Sequence, residues 1–342
     1  MITDKQKMAL IYFMTNSFFL ASGYSLIFKT SGKDSWISMI IGTLIGLLLI
    51  YIFNKYIFNK KRNYILNSHL NIIYKIPLFV FFIFIFFINI LIVRIFATSF
   101  FLTKTSGLLI TIPFVLLCYL NAKKGLNSIA KISEMLLPIS IVLILLSMLA
   151  VLKDGSIDSF LPVLTTSRSK IMLSSIYFAI FTAIPQIVLF DVKIDGKLHM
   201  KAYILSSAIS ILIGTIIIFS LGPYLIKIYR FPEYMVLKQI KIFNFIEKIE
   251  NLIGLIWFFD LFISASLCIY NIDKINKSNN ILNIITLIST VIIIEFVSNH
   301  YEYATIIYKN LPIFLLICGL LIFLALYKKV KNIKKVAKAT QN

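Results

Sequence analysis

Three ionisable side chains stand inside long apolar runs: Arg94, Asp260 and Glu295. A charge within a hydrocarbon-embedded helix is costly, so such residues turn to a bundle interior or a cavity and find partners there. Glu134, near the start of another run, is a borderline fourth. A pair between Arg94 and a carboxylate would serve the architecture; it would equally serve as a switch or as part of an ion path. Glu295 lies close enough to a helix end to reach water. Other chemistry-bearing residues are sparse. His69, His199 and His300 are far apart, fall in segments read as loops, and read as solvated rather than as ligands. Cys118, Cys268 and Cys318 lie in apolar runs without metal-ligand spacing, so they read as small apolar fillers. There is no nucleotide-binding glycine loop, no H-E-x-x-H and no nucleophile elbow. Neither a catalytic residue, a metal nor a cofactor is expected.

The elements that hold these residues follow from hydropathy. The chain has 342 residues, of which 59% are hydrophobic, and it runs apolar for whole stretches instead of alternating faces. A helix needs about 20 predominantly apolar residues to cross a bilayer. Spans are expected at 9–28, 36–58, 77–101, 106–120, 133–152, 171–190, 202–226, 252–270, 281–298 and 311–327. That pattern is an all-α integral membrane protein with about ten transmembrane helices. Residues 1–327 read as one membrane domain, and 328–342 as a basic cytoplasmic tail suited to an anionic leaflet. Lys5 and Lys7 before an apolar run ending in Ala21-Ser22-Gly23 loosely resemble a signal peptide. The run is long for one, so an uncleaved first helix is expected. The net charge of +20 would suit nucleic acid. Loop lysines of a membrane protein explain it better, and no aromatic-basic platform lies outside the spans. An even number of spans puts both termini on one side. The loops of that side hold most of the lysines and arginines, so both termini read as cytoplasmic. The contrary feature is the loop holding the segment 229–250, which together with Lys227 places five cations on the other side.

Ten spans also permit two halves of five, the inverted-repeat plan of many transporters. In that plan the first and sixth spans break near the midplane and free backbone groups for a ligand. The sixth span contains Thr182, Pro185 and Gln186 in its interior, and the first carries the polar patch Thr15-Asn16-Ser17. Proline removes a helical hydrogen bond, which a bilayer tolerates only where protein or a cavity satisfies the freed carbonyl. A simple proline kink is the alternative for Pro185.

The segment between the seventh and eighth spans is too polar to cross. Read as a helix, Val236, Ile240, Phe243, Glu247 and Glu250 share one face, with Lys238, Lys241 and Lys248 opposite. An apolar stripe that runs into two carboxylates departs from a plain interfacial helix, whose charges stay wet. Glu247 and Glu250 are therefore read as turned inward, accepting hydrogen bonds or pairing with a cation, within an extracytoplasmic amphipathic segment at 231–250; the alternative is that the helix frays and both are wet.

At these residues the sequence resembles the spore germination permease family, the B subunits of nutrient germinant receptors. Phe231-Pro232, then Phe245-Ile246-Glu247-Lys248-Ile249-Glu250, then Ile256-Trp257 is similar to that family's aromatic-proline, F-I-E-R-x-E and I-W series. Gln6, Lys33-Asp34-Ser35-Trp36-Ile37-Ser38, Arg94, Gly125 with Ala130-Lys131-Ile132-Ser133-Glu134 and Pro138, and Leu161-Pro162-Val163-Leu164 match further landmarks in order. Ser17 stands where the family has glycine, and Lys131 and Lys248 where it has arginine. The T-P opening of the fourth span and an acidic residue after Arg94 are missing. The resemblance implies the five-plus-five inverted-repeat fold of the amino acid–polyamine–organocation (LeuT-like) superfamily. It implies a small nutrient ligand, typically an amino acid, A-type and C-type receptor subunits as partners, and the inner membrane of the spore. On that basis Thr15, Asn16, Ser17, Thr182, Pro185 and Gln186 are the expected ligand pocket, with Arg94 and Asp260 as polar coupling partners within the bundle and Glu247 and Glu250 as a gate or subunit contact. The expected function is nutrient sensing that triggers germination; the alternative is an autonomous amino acid or cation permease.

Overall fold

The computed structural model describes residues 2–56, 58, 72–152, 155–238, 250–276 and 279–339. Among the described residues every regular element is a helix. In chain order they are α1 (Asp4–Asn16), a π-helical turn (Phe19–Gly23), α2 (Tyr24–Ser31), α3 (Ser35–Tyr56), α4 (Ile72–Phe96), α5 (Gly107–Lys123) and α6 (Leu126–Val151). The second half holds α7 (Arg168–Ala183), a 3-10 segment (Ile184–Asp191), α8 (Gly196–Ile228), α9 (Pro232–Lys238), α10 (Glu250–Ile275), α11 (Asn280–Asn299) and α12 (Tyr301–Ala339).

Eight stretches among the described residues are long and apolar enough to cross a membrane, and α5 is a shorter apolar helix beside them. One of the eight, Tyr24–Tyr56, folds back on itself, because Gly32 adopts φ +56° between α2 and α3. That left-handed conformation is open to glycine at little cost. With α1 and α2 as the two halves of one interrupted span, the described residues make ten crossings in two groups of five. Leucines and isoleucines such as Leu44, Leu109, Leu149 and Ile292 lie more than half exposed on the outside of the bundle. Serine, threonine and asparagine side chains are buried inside it. A protein solvated by lipid has this inversion, since apolar side chains lose nothing by facing acyl chains.

Several helices outrun their hydropathy. The fifth span starts at Leu126 rather than near 133, which places Glu134 inside a helix. The seventh starts at Gly196, capped by Asp195 accepting from Lys197 N and Leu198 N, and the last helix runs on to Ala339. Backbone hydrogen bonding within a helix does not depend on side-chain polarity, so it continues past the apolar run. This corrects the reading of His199. It is fully buried in the first turn of α8, its Nδ1 2.9 Å from Asn54 Oδ1 and its ring edge-on to Phe58. His300 is exposed as expected, and His69 lies outside the described residues. Near its end α8 is broken at Gly222 (φ +72°), just before Pro223.

The central packing is α3 against α7. Gly42 sits so close to α7 that a Cβ there would meet Ser175 O at 2.6 Å, and one on Gly46 would collide with the Tyr203 hydroxyl. Gly42 thus lets the α3 and α7 backbones approach, which is how helices associate where lipid removes the hydrophobic drive, while Gly46 leaves room for Tyr203 of α8.

Candidate functional site

The first span breaks where its polar patch lies. The Ser17 amide still bonds Phe13 O at 2.9 Å, after which Phe18 and the π turn carry the chain across to α2. Both residues keep right-handed φ/ψ, so the break needs no positive φ and a serine serves where the family has glycine. The sixth span stops being α-helical at Ile184 and tightens into the 3-10 segment, with Pro185 in its first turn. Proline brings no N–H, so the switch in hydrogen-bond pattern begins where a donor is already missing.

The two breaks are tied together. Gln186 Nε2 donates to Thr15 Oγ1 at 2.8 Å and to Ile11 O at 3.1 Å, and Thr15 Oγ1 itself donates to Ile11 O at 2.8 Å. Asn16 turns the other way: Ser210 Oγ of α8 donates to Asn16 Oδ1 at 2.7 Å, and the Tyr24 hydroxyl donates to Ser210 O at 2.6 Å. Thr182 pairs with the Tyr203 hydroxyl at 2.7 Å, and Ser17 Oγ reaches only Met14 O at 3.4 Å. Of the six expected pocket residues, Thr15 and Gln186 thus meet directly, Asn16 and Thr182 turn to α8, and Ser17 bonds only its own helix. Their polar atoms are largely spent on each other and on α8. Gln186 Oε1 is buried with no hydrogen-bond partner among the described residues.

Of the ionisable residues, Arg94 pairs with Glu295, and its Nη2 donates to Asn299 Oδ1 at 3.2 Å. The carboxylate near the helix end is therefore its partner, and Asp260 is not. Asp260 is 1% exposed, and neither of its oxygens has a hydrogen-bond partner among the described residues. The hydroxyl of Tyr12 on α1 is likewise buried and unpartnered among the described residues. Leaving a buried polar group without a partner costs on the order of 1–3 kcal/mol. Neither arrangement was legible in sequence, since which helices face one another is a tertiary matter.

Of the two carboxylates expected to gate the bundle, Glu247 lies outside the described residues, and Glu250 opens α10. The single helix expected over 229–250 is described as α9 only, over Pro232–Lys238. Its buried carboxylate is one the sequence reasoning passed over, Glu233, at 2% exposed. Burial holds its carboxyl well above the ordinary carboxylate range. The available signal was Pro232, which is favoured at the first position of a helix and so marks where α9 begins, although it does not say which way Glu233 points.

A second opening lies beside the break in the first span. A cavity of about 440 Å³ is lined by Ser22, Ser25, Lys29, Arg230, Tyr308 and Lys309, among others. Its charged lining residues are all cationic, and the Arg230 guanidinium lies 4.5 Å over the Tyr308 ring.

Residues 2–304 match the family model described as spore germination protein. The chain belongs to the spore germination protein family. It is 26% identical over 330 residues to spore germination protein XB of Bacillus anthracis, covering 88% of this chain and 91% of that one. It is 22% identical over 280 residues to spore germination protein KB of Bacillus subtilis (strain 168), covering 77% and 74%. Among solved structures it resembles Mhp1, a nucleobase-cation-symport-1 family transporter, in a closed conformation with bromovinylhydantoin bound. That match has a TM-score of 0.51 at 13% identity, covering 93% of this chain and 77% of that one. The fold is therefore the transporter-like, LeuT-type inverted repeat, in a membrane protein of a germination family.

The family's scattered landmarks meet in space. Gln6 Nε2 donates to Glu134 Oε2 at 2.9 Å, joining the starts of the first and fifth spans. Asp34 is fully buried and accepts from Leu164 N at 2.8 Å and Thr166 N at 2.9 Å, while Lys33 Nζ donates to Leu161 O at 2.7 Å. The motif opening the second span thus clasps the loop before the sixth. Phe231 and Trp257 pack together at 5.6 Å, and Phe96 lies 4.2 Å from Trp257.

Proposed function

We propose that this protein is a nutrient-sensing membrane subunit of a spore germinant receptor, with a small amino acid as the nutrient. The observation that carries the reading is the crossing of the interrupted first and sixth spans, held shut by Gln186 on Thr15 and Ile11 O, in a germination-family chain with a transporter fold. A nutrient entering between the first, third, sixth and eighth spans replaces those internal hydrogen bonds with its own. The polar groups of Thr15, Asn16, Ser17, Thr182 and Gln186 are its partners, and Pro185 sets the bend. Because the ligand binds one packing of the two halves better than the other, it shifts their populations, and that shift is the signal. The cationic cavity at Lys29, Arg230 and Lys309 draws a carboxylate toward the break. Arg94 and Asp260 are coupling residues within the bundle, and Glu247 and Glu250 contact a gate or a neighbouring subunit. A-type and C-type subunits complete the receptor in the inner spore membrane, with both termini and the tail at 328–342 cytoplasmic and the membrane domain ending near 327.

The test is germination of spores carrying Ser17→Leu or Gln186→Leu, with the subunit's abundance in spore membranes measured in parallel. The expected outcome is loss of the nutrient response, by tenfold or more in effective concentration for about 1.4 kcal/mol of lost binding, at normal abundance. An unchanged response at normal abundance removes the ligand role of the crossing.

One observation favours a second reading, an autonomous cation-coupled permease: the unpartnered carboxylate of Asp260 in a symporter-like fold. That reading requires uptake by this chain alone in proteoliposomes, abolished by Asp260→Asn. Absence of uptake alongside nutrient-triggered germination leaves the sensor.

A further inference from the structure

The cavity beside the break in the first span draws its charges from three distant parts of the chain. Lys29 comes from the last turn of α2, Arg230 from the turn between α8 and α9, and Lys309 from early in α12. Its volume of about 440 Å³ lies within the roughly 300–1,000 Å³ of small-molecule sites. Among the described residues no acidic side chain lines it: Glu233 is buried and Glu302 exposed, and neither reaches the cavity. None of the three cations is in an ion pair among the described residues. Bringing like charges together costs free energy, and an anion placed between them reverses the sign of that cost.

The chemistry of the lining narrows the anion. The Arg230 guanidinium lies 4.5 Å over the Tyr308 ring and 5.5 Å over the Phe231 ring. A guanidinium stacked on aromatic faces is already ordered, so less freedom is lost when its planar fork takes two oxygens. Ser22 Oγ donates to Phe18 O at 2.7 Å and Ser25 Oγ to Tyr229 O at 3.3 Å. Those hydroxyl hydrogens are engaged by backbone, so the cations do the selecting. A single carboxylate sets one charge and two oxygens against three cations. A phosphate monoester sets about two charges and three acceptor oxygens against them, one partner for each.

We propose that this cavity is a binding site for a phosphate monoester, with Arg230 as the anchor and Lys29 and Lys309 on the remaining oxygens. It goes beyond the nutrient reading: it shares no residue with the crossing of the first and sixth spans, and it stands or falls separately. The site joins α2, the turn between α8 and α9, and α12, so an occupant ties the interrupted first span to the seventh and the last. A phosphate held there also weakens the field that draws a carboxylate inward.

The monoester can be a free solute or a lipid headgroup, and one set of measurements separates the two. Purified full-length protein in an uncharged detergent is dialysed to equilibrium against radiolabelled inorganic phosphate and sn-glycerol 3-phosphate at fixed ionic strength, with acetate as competitor. Native mass spectrometry follows retention of phosphatidic acid against phosphatidylcholine. The expected result is saturable binding of a phosphate-bearing probe that an equal concentration of acetate does not displace. Binding of the soluble probes, with or without the lipid, assigns a free phosphate; retention of phosphatidic acid alone assigns a headgroup. Arg230→Gln weakens binding about tenfold or more, the effect of one lost charge-assisted contact. The double variant Lys29→Gln/Lys309→Gln does the same. Lys170→Gln, which removes an exposed cation outside the cavity, leaves binding unchanged. Thermal melting establishes that each variant is folded; if Arg230→Gln is not, the double variant carries the test, since both its lysines are exposed. The proposal is overturned if no phosphate-bearing probe binds saturably, if acetate competes equally, or if a folded cavity variant binds as before. It is overturned equally if Lys170→Gln weakens binding as much as the cavity variants, which would leave attraction to surface charge only.

Discussion

Arg94 shows how far one residue's chemistry depends on its partner. Its guanidinium is 6% exposed and its partner Glu295 30%. Removing one member of such a pair leaves a charge with too few partners, whereas replacing both with apolar groups of similar size is tolerated better. Glu295→Ala is expected to destabilise the protein by about 2–3 kcal/mol, discounted for the partly wet carboxylate. The double variant Arg94→Met/Glu295→Met is expected to recover most of that loss. A double-mutant cycle of melting in detergent checks both, and additive losses would mean that the pair is not coupled. From sequence, Arg94 was visible as an intramembrane charge in need of a carboxylate. Its choice of Glu295 over Asp260 was not, because both lie on helices far away along the chain. Gln186 was visible as a polar residue beside a proline; its bond to Thr15 was not.

At the scale of elements, α3 packs closely against α7, and Gly42 sets the separation. Gly42→Leu places four carbons where Ser175 O already lies within 2.6 Å of a Cβ. Overpacking of this kind costs on the order of 1–3 kcal/mol or more when the obstacle is backbone. The expected outcome is a lowered melting temperature and, in spores, lowered abundance of the protein. Leu44→Ala on the lipid-facing side of the same helix is expected to change neither appreciably. Equal effects of the two substitutions would mean that α3 and α7 are not in close contact. The same scale explains why hydropathy located the spans yet misplaced their ends. The signal stops where side chains turn polar, while backbone hydrogen bonding runs on through the interface, as at Leu126, Gly196 and Ala339. His199 was misread for this reason alone.

For the whole molecule, stability acquires a pH dependence from Glu233. Burial raises its carboxyl well above the ordinary value of 4.5 in the folded state, with Tyr24 as the titratable neighbour that feels its charge. Between the ordinary and the raised value the folded chain keeps a proton that the unfolded chain has released. Stability therefore falls as pH rises through that window, and the contribution is fully present only below the ordinary carboxylate range. Melting temperatures of wild type and Glu233→Gln across pH 4 to 9 are expected to converge at low pH, with wild type falling more steeply above. Parallel curves would mean that Glu233 is solvated.

The sequence by itself determined the solvent of this protein and the plan of its fold. Uninterrupted apolar runs of span length, with cations between them, have few ways to fold outside a bilayer. Ordered landmarks from Gln6 to Trp257 placed the chain in its family, and polar patches beside Pro185 and at Thr15 marked where two spans would break. Those are local properties, readable one segment at a time. Tertiary structure decided what each marked residue touches: Asp34 on the loop at Leu164, Gln186 on Thr15, and Arg94 on Glu295. In a bundle whose helices are apolar nearly all round, periodicity cannot say which face meets which neighbour. That choice rests on close packing at small residues and on buried polar groups finding partners.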